Sequence, residues 1–190
     1  MASTASPYGL IPVNHPSGTV RPFAMTILTG YASSIFQNSP VKIIPSSTGE
    51  GTIGVAAAGD SFIGTFQGVE FTDSDGRRRV SNKWTASTAA TDIIAYVTID
   101  QSITYEIQSD AALAVADIGK QYDFSAPAGN TTTGLSSQSL DVSSVVTGSG
   151  TAQLRLIGIV SGPDNGWGDT YVNALVQISE HQNTAVVNAY

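Results

Sequence analysis

Cysteine is absent from the 190-residue chain, which excludes disulfides and thiolate metal sites. Histidine is scarce too: only His15 and His181 are present. Neither stands in an H-x-H or H-E-x-x-H spacing, and no G-x-S-x-G turn supplies a serine nucleophile. Carboxylates are plentiful, but no spacing singles out a catalytic pair. The residues therefore argue against an enzyme, and they call for neither metal nor cofactor.

Charge is also sparse. Charged residues make up 12% of the chain, against roughly 25% in an ordinary soluble domain. Serine, threonine, glycine, asparagine and glutamine must therefore cover the surface. Burying a hydroxyl or an amide at an interface costs less than burying an ion, so such a surface suits assembly. The net charge is −7 and no long basic stripe occurs, which argues against nucleic acid as the main partner. No stretch reaches the roughly 18 apolar residues of a membrane span, and the first residues lack the basic and apolar regions of a signal peptide. The expectation is a protein made in the cytoplasm that stays soluble until it assembles.

Proline is concentrated at the start, where residues 1–24 carry Pro7, Pro12, Pro16 and Pro22. Proline fixes φ, removes a donor and biases the preceding residue towards extended geometry. Among these prolines stand Tyr8, Leu10, Ile11, Val13, Val20 and Phe23. An extended segment with apolar side chains has no face of its own to fold against. It must lie in a groove on its own domain or on a neighbour. Residues 1–24 thus read as a docked N-terminal arm, residues 25–179 as a body and residues 180–190 as a tail.

The body reads as all-β. Ile93, Ala95, Val97 and Ile99 alternate with polar or outward residues, as do Ile103, Tyr105 and Ile107. With Asp100-Gln101-Ser102 between them, the two runs predict a hairpin with one buried face. Leu154 to Val160 and Val172 to Ile178 form a second pair, joined through the turn signal Asp164-Asn165-Gly166. Gly64 and Gly68 interrupt an aromatic run from Ser61 to Phe71, which suits the bulges a closing barrel needs. Residues 110–120 read as one short helix stopped by Gly119. Segments 125–139 and 143–151 read as loops. The pattern predicts a β-barrel or sandwich.

Several motifs have simpler explanations. Gly49-Glu50-Gly51-Thr52-Ile53-Gly54 has dinucleotide-site spacing, but β-runs follow it where a helix is required. Asp73-Ser74-Asp75-Gly76 opens like a calcium loop, yet Arg77-Arg78-Arg79 stands where further ligands are needed. A hairpin tip followed by a charged strand edge accounts for both features. Asn130-Thr131-Thr132 is a glycosylation sequon, relevant only in a secreted eukaryotic protein. Trp84, Trp167 and Tyr171 are candidate stacking surfaces for a carbohydrate, with packing residues as the simpler reading.

Four stretches resemble the capsid decoration, or cement, proteins of tailed bacteriophages. Pro7-Tyr8-Gly9-Leu10-Ile11-Pro12-Val13 is similar to that group's opening, although Ile11 stands where many relatives carry a basic residue. Asp100 to Gln108 is similar to its strand before the helical turn. Ala114 to Lys120, with Leu135 to Asp141 after it, resembles its turn and Ser-rich loop. Leu154 to Gly158, Asp164-Asn165 and Val176-Gln177-Ile178 resemble its closing hairpin. The resemblance implies a β-barrel or β-tulip-like body, no catalysis and a place on the outer surface of the virion capsid. The implied partners are the major capsid protein and further copies of the chain, often as a trimer where capsomers meet. On that reading Tyr8, Leu10, Ile11, Val13, Arg21 and Phe23 of the arm are the expected contacts with capsid or subunit. The alternatives are another virion component (a head fibre, adaptor or tail protein) and, further off, a carbohydrate-binding module.

Overall fold

The computed structural model describes residues 4–46, 51–148 and 150–184. Its strands are β1 (Ile11–Asn14), β2 (Phe23–Ile27), β3 (Ile35–Phe36), β4 (Pro40–Ile43) and β5 (Thr52–Val55). There follow β6 (Gly64–Asp73), β7 (Arg78–Ser81), β8 (Lys83–Trp84), β9 (Ala90–Thr98) and β10 (Thr104–Gln108). The last four are β11 (Gln121–Phe124), β12 (Leu140–Val146), β13 (Leu154–Ile159) and β14 (Asn173–Ile178).

These strands build two six-stranded sheets, each over its own core, and β3 and β8 pair as a separate two-stranded sheet. In the first the order is β4-β5-β2-β9-β6, and β6 pairs back onto β4, which closes a five-stranded barrel. The fold is thus all-β with a barrel, as the alternation and the glycine spacing predict. Ile27, Val41, Ile53, Phe66, Val97 and Trp84 fill the interior. Trp84 packs edge-on against Phe71 with ring centroids 5.4 Å apart. Closure depends on Gly64, which pairs with Val41 while the backbone of β9 passes close by. A Cβ on Gly64 would collide with the Thr98 carbonyl oxygen. β7 extends the barrel sheet beyond β6 as a free edge. The β6–β7 turn is the Asp-Gly tip read from the sequence: Gly76 has φ +74° and donates its amide to Asp73 O at 2.9 Å.

The second sheet runs β1-β10-β14-β13-β11-β12. Its core gathers Leu10, Tyr105, Tyr122, Leu154 and Val176, with Phe62 edge-on to Phe124 at 5.3 Å. The β13–β14 hairpin forms as expected, with Leu154 opposite Ile178 and Leu156 opposite Val176, and its register shifts between Leu156 and Gly158. Asn165 holds its turn by donating to Val160 O at 2.7 Å and accepting from Asn173 N at 2.8 Å.

Three expectations are corrected. β9 and β10 are not a hairpin, because β9 lies between β2 and β6 in the barrel while β10 lies between β1 and β14 in the second sheet. Residues 99–103 carry the chain from one sheet to the other. Residues 110–120 form no helix beyond the 3-10 turn Val115–Asp117. There Asp117 accepts from Ala114 N at 2.8 Å and pairs with Lys120 at 2.7 Å, which closes a single turn. Leu113 is buried but Val115 and Ile118 are exposed, so no apolar stripe exists to extend it. Of the 143–151 loop, residues 143–146 belong to the edge strand β12.

The segment read as an arm contains β1, which pairs with β10, and Leu10, which is wholly buried. Burying one such leucine contributes about 1.5–3 kcal/mol. Residues 180–182 run back over the barrel: Phe62 N donates to Glu180 O, and Gln182 N donates to Phe62 O, both at 3.1 Å. His181 is buried there against Ile99 O at 3.1 Å. Residues 185–190 of the expected tail lie outside the described residues, as do Gly49 and Glu50 of the glycine motif.

Candidate functional site

The chain passes between its two sheets in the segment from β1 to β2 and again from β9 to β10, and these two passages lie side by side. In the first, Pro16 and Gly18 shape a tight turn in which Gly18 N donates to His15 O at 2.8 Å. The His15 ring folds over this turn, and its Nδ1 meets Ser17 Oγ at 2.6 Å and Ser17 N at 3.1 Å. In the second passage Asp100 Oδ1 accepts from Ser102 N at 2.8 Å. Across the gap, His15 Nε2 stands 3.2 Å from Asp100 Oδ2. The Ser102 amide, and after it His15, hold the Asp100 carboxyl below its usual range despite some opposing desolvation.

Serine, histidine and aspartate are therefore in line, an arrangement that the sequence reading did not find. Its composition resembles a nucleophile relay, but its geometry is that of a turn. Nδ1 has one lone pair, and the Ser17 amide competes for it with the hydroxyl. Ser17 Oγ also lies 3.4 Å from Thr19 O. The relay fastens one passage to the other. The signal in the sequence was the pair of turn-forming stretches, His15-Pro16-Ser17-Gly18 and Asp100-Gln101-Ser102.

Between the passages a cleft of about 390 Å³ opens, lined by His15, Thr19, Arg21, Phe23, Asp100 and Ile103. A second hollow of about 320 Å³ shares Phe23 and Asp100 with it and is otherwise lined by Ile99, Gln101 and Ser102. Phe23 lines both and is 56% exposed, the most exposed aromatic side chain among the described large hydrophobics. Ile103 is buried and forms part of the floor. Arg21 is exposed and makes no ion pair or hydrogen bond among the described residues.

Of the six arm residues expected as contacts, Arg21 and Phe23 meet in this cleft. Val13 is exposed on the edge strand β1, and Ile11 is half-buried beside Glu106. Tyr8 donates its hydroxyl to Glu106 at 2.6 Å, and burial followed by that carboxylate pushes its ionisation far up. Leu10 is interior and offers nothing to a partner in this conformation.

The other candidates separate in the same way. Trp84 is wholly buried and presents no face to a sugar, while Trp167 and Tyr171 are half-buried. Asp73 is tied to Arg79 at 2.6 Å and Arg78 lies 3.3 Å from Glu70, so two of the three consecutive arginines serve their own hairpin. Asn130 uses its side chain locally, accepting from Thr132 N at 2.8 Å. Among the described residues no cluster of three histidines or carboxylates could hold a metal ion. Comparison with protein-family models, curated proteins and solved structures finds no match.

Proposed function

We propose that this protein cements the head of a tailed bacteriophage, binding the outer surface of the assembled capsid and bridging its capsomers. The observation that carries the reading is where the four resembling stretches lie. One lies at Pro7 to Val13 and the others between Asp100 and Ile178, and they supply β1, β10, the 3-10 turn, the start of β12, β13 and β14. These elements make up most of a single sheet and its flanking turn. Every strand from β10 onward lies in that sheet together with β1, so the likeness covers the second sheet and leaves the barrel outside it.

The physical character of the chain supports the same reading. A charge-poor surface allows broad interfaces with little desolvation of ions. The exposed Phe23 and Arg21, which has no partner among the described residues, are of the residue types that anchor protein interfaces. A protein that binds only the expanded shell stabilises that state by linkage, and needs no catalytic group to do so. The partners on this reading are the major capsid protein and further copies of the chain, assembled as a homotrimer.

Co-sedimentation with expanded, undecorated heads tests it. Saturable binding to expanded heads, with little to unexpanded ones, is the expected result. Absence of binding to either would reject the cement function and leave another virion component as the reading to pursue.

A further inference from the structure

We infer that the cleft at Phe23 receives an extended segment of the capsid partner carrying a carboxylate close to a large apolar side chain. The identity of the partner rests on the cement reading; the chemistry of the cleft does not.

Charge comes first. Asp100 is engaged by His15 and by the Ser102 amide, whereas Arg21 meets no counter-charge among the described residues. Of the charges facing the cleft, Arg21 is thus the one left to a partner. A guanidinium prefers the fork geometry of a carboxylate or phosphate. A polyanion is disfavoured by the net charge of −7 and by Asp100 in the same wall. A single carboxylate meets Arg21 with less of that repulsion than a polyanion does.

The shape supplies the rest. Two hollows share Phe23 and Asp100, one of them lined by Arg21 and the other by Ile99. In an extended chain the side chains of residues i and i+2 share a face, about 6.5 Å apart. One of them can reach Arg21 while the other covers Phe23 towards Ile99. A compact small molecule in one hollow would meet Phe23 and leave the other hollow empty. The two passages that form the walls are fastened by the His15–Asp100 contact, so the site is organised before the partner arrives.

The test uses the full chain, labelled for amide NMR, and a short capped peptide alternating glutamate and leucine. Its glutamine–leucine and lysine–leucine counterparts serve as comparisons. The glutamate peptide should shift signals within residues 15–23 and 99–103 and bind at least about fivefold more tightly than either counterpart. Arg21→Gln should erase that preference, Arg21→Lys should keep part of it, and Phe23→Ser should weaken all three peptides. Equal binding by the glutamine peptide, shifts elsewhere on the molecule, or no binding at all would overturn the inference. Head binding separates the two proposals. If Arg21→Gln binds expanded heads as the parent does, the carboxylate contact is wrong and the cement reading survives. If the parent ignores heads yet prefers the glutamate peptide, the cement reading fails and the site chemistry stands.

Discussion

His15 Nε2 and Asp100 Oδ2 lie 3.2 Å apart, and through them the passage from β1 to β2 is fastened to the passage from β9 to β10. Each passage links the barrel to the second sheet, so this contact bears on how the two halves are held. The Asp100 carboxyl is depressed chiefly by the Ser102 amide and then by His15. A depressed carboxyl contributes stability in full above its unfolded value, about 3.9, and loses it as pH falls through the lower folded value. Asp60 and Asp117, also depressed, gain from Lys42 and Lys120 against an opposing desolvation. Stability should therefore fall below about pH 4. Asp100→Asn should flatten part of that decline without removing it, as measured by urea unfolding across the acid range.

Asp123 has the opposite sign. Burial, and then Glu180 and Asp141, raise its carboxyl, partly offset by the hydrogen bond from Gln153 N. Its ionised form therefore opposes folding at neutral pH, and the penalty disappears as pH drops below the raised value. Asp123→Asn keeps an oxygen that can accept from Gln153. It should leave stability unchanged or increase it at neutral pH, with any gain vanishing in acid. A clear loss at neutral pH would contradict this assignment.

Barrel closure rests on Gly64. Gly64→Ala forces a Cβ against the Thr98 carbonyl, which belongs to backbone and cannot swing aside. The expected loss is about 3 kcal/mol or more in chemical denaturation. Gly158→Ala, where a Cβ meets nothing within 4 Å, should change stability by less than about 1 kcal/mol.

Leu10 and Phe23 should separate stability from binding. Leu10→Ala opens space in the second core and should cost about 2–5 kcal/mol. Phe23→Ser alters a largely exposed ring and should cost under about 1 kcal/mol while weakening head binding. Deleting residues 1–24 is the poorer experiment, since it removes β1 and Leu10 together and damages the sheet as well as any contact surface.

Period-two alternation showed which residues face inward, and Val97, Tyr105 and Ile107 are buried as it predicted. It could not show which sheet each strand joins. β9 and β10 have suitable patterns and a suitable turn between them, but their pairing edges are taken by β2, β6, β1 and β14. That competition is settled by long-range contacts that no local window contains. The Asp164-Asn165-Gly166 hairpin was legible because its partners are close in sequence and its turn chemistry is specific. Arg21 and Phe23 stood out in the sequence as members of the arm, whereas Asp100 and Ser17 looked like ordinary turn residues. Their meeting depends on two crossovers far apart in the chain, His15 in one and Asp100 in the other, lying side by side, and nothing local encodes that.

The cement function is tested most directly by a quantitative mass-spectrometric inventory of purified virions. The account predicts this protein in constant proportion to the major capsid protein, at a copy number that matches the capsomer junctions of the shell. Its absence from virions, or presence only at the few copies of a single-vertex component, would contradict it.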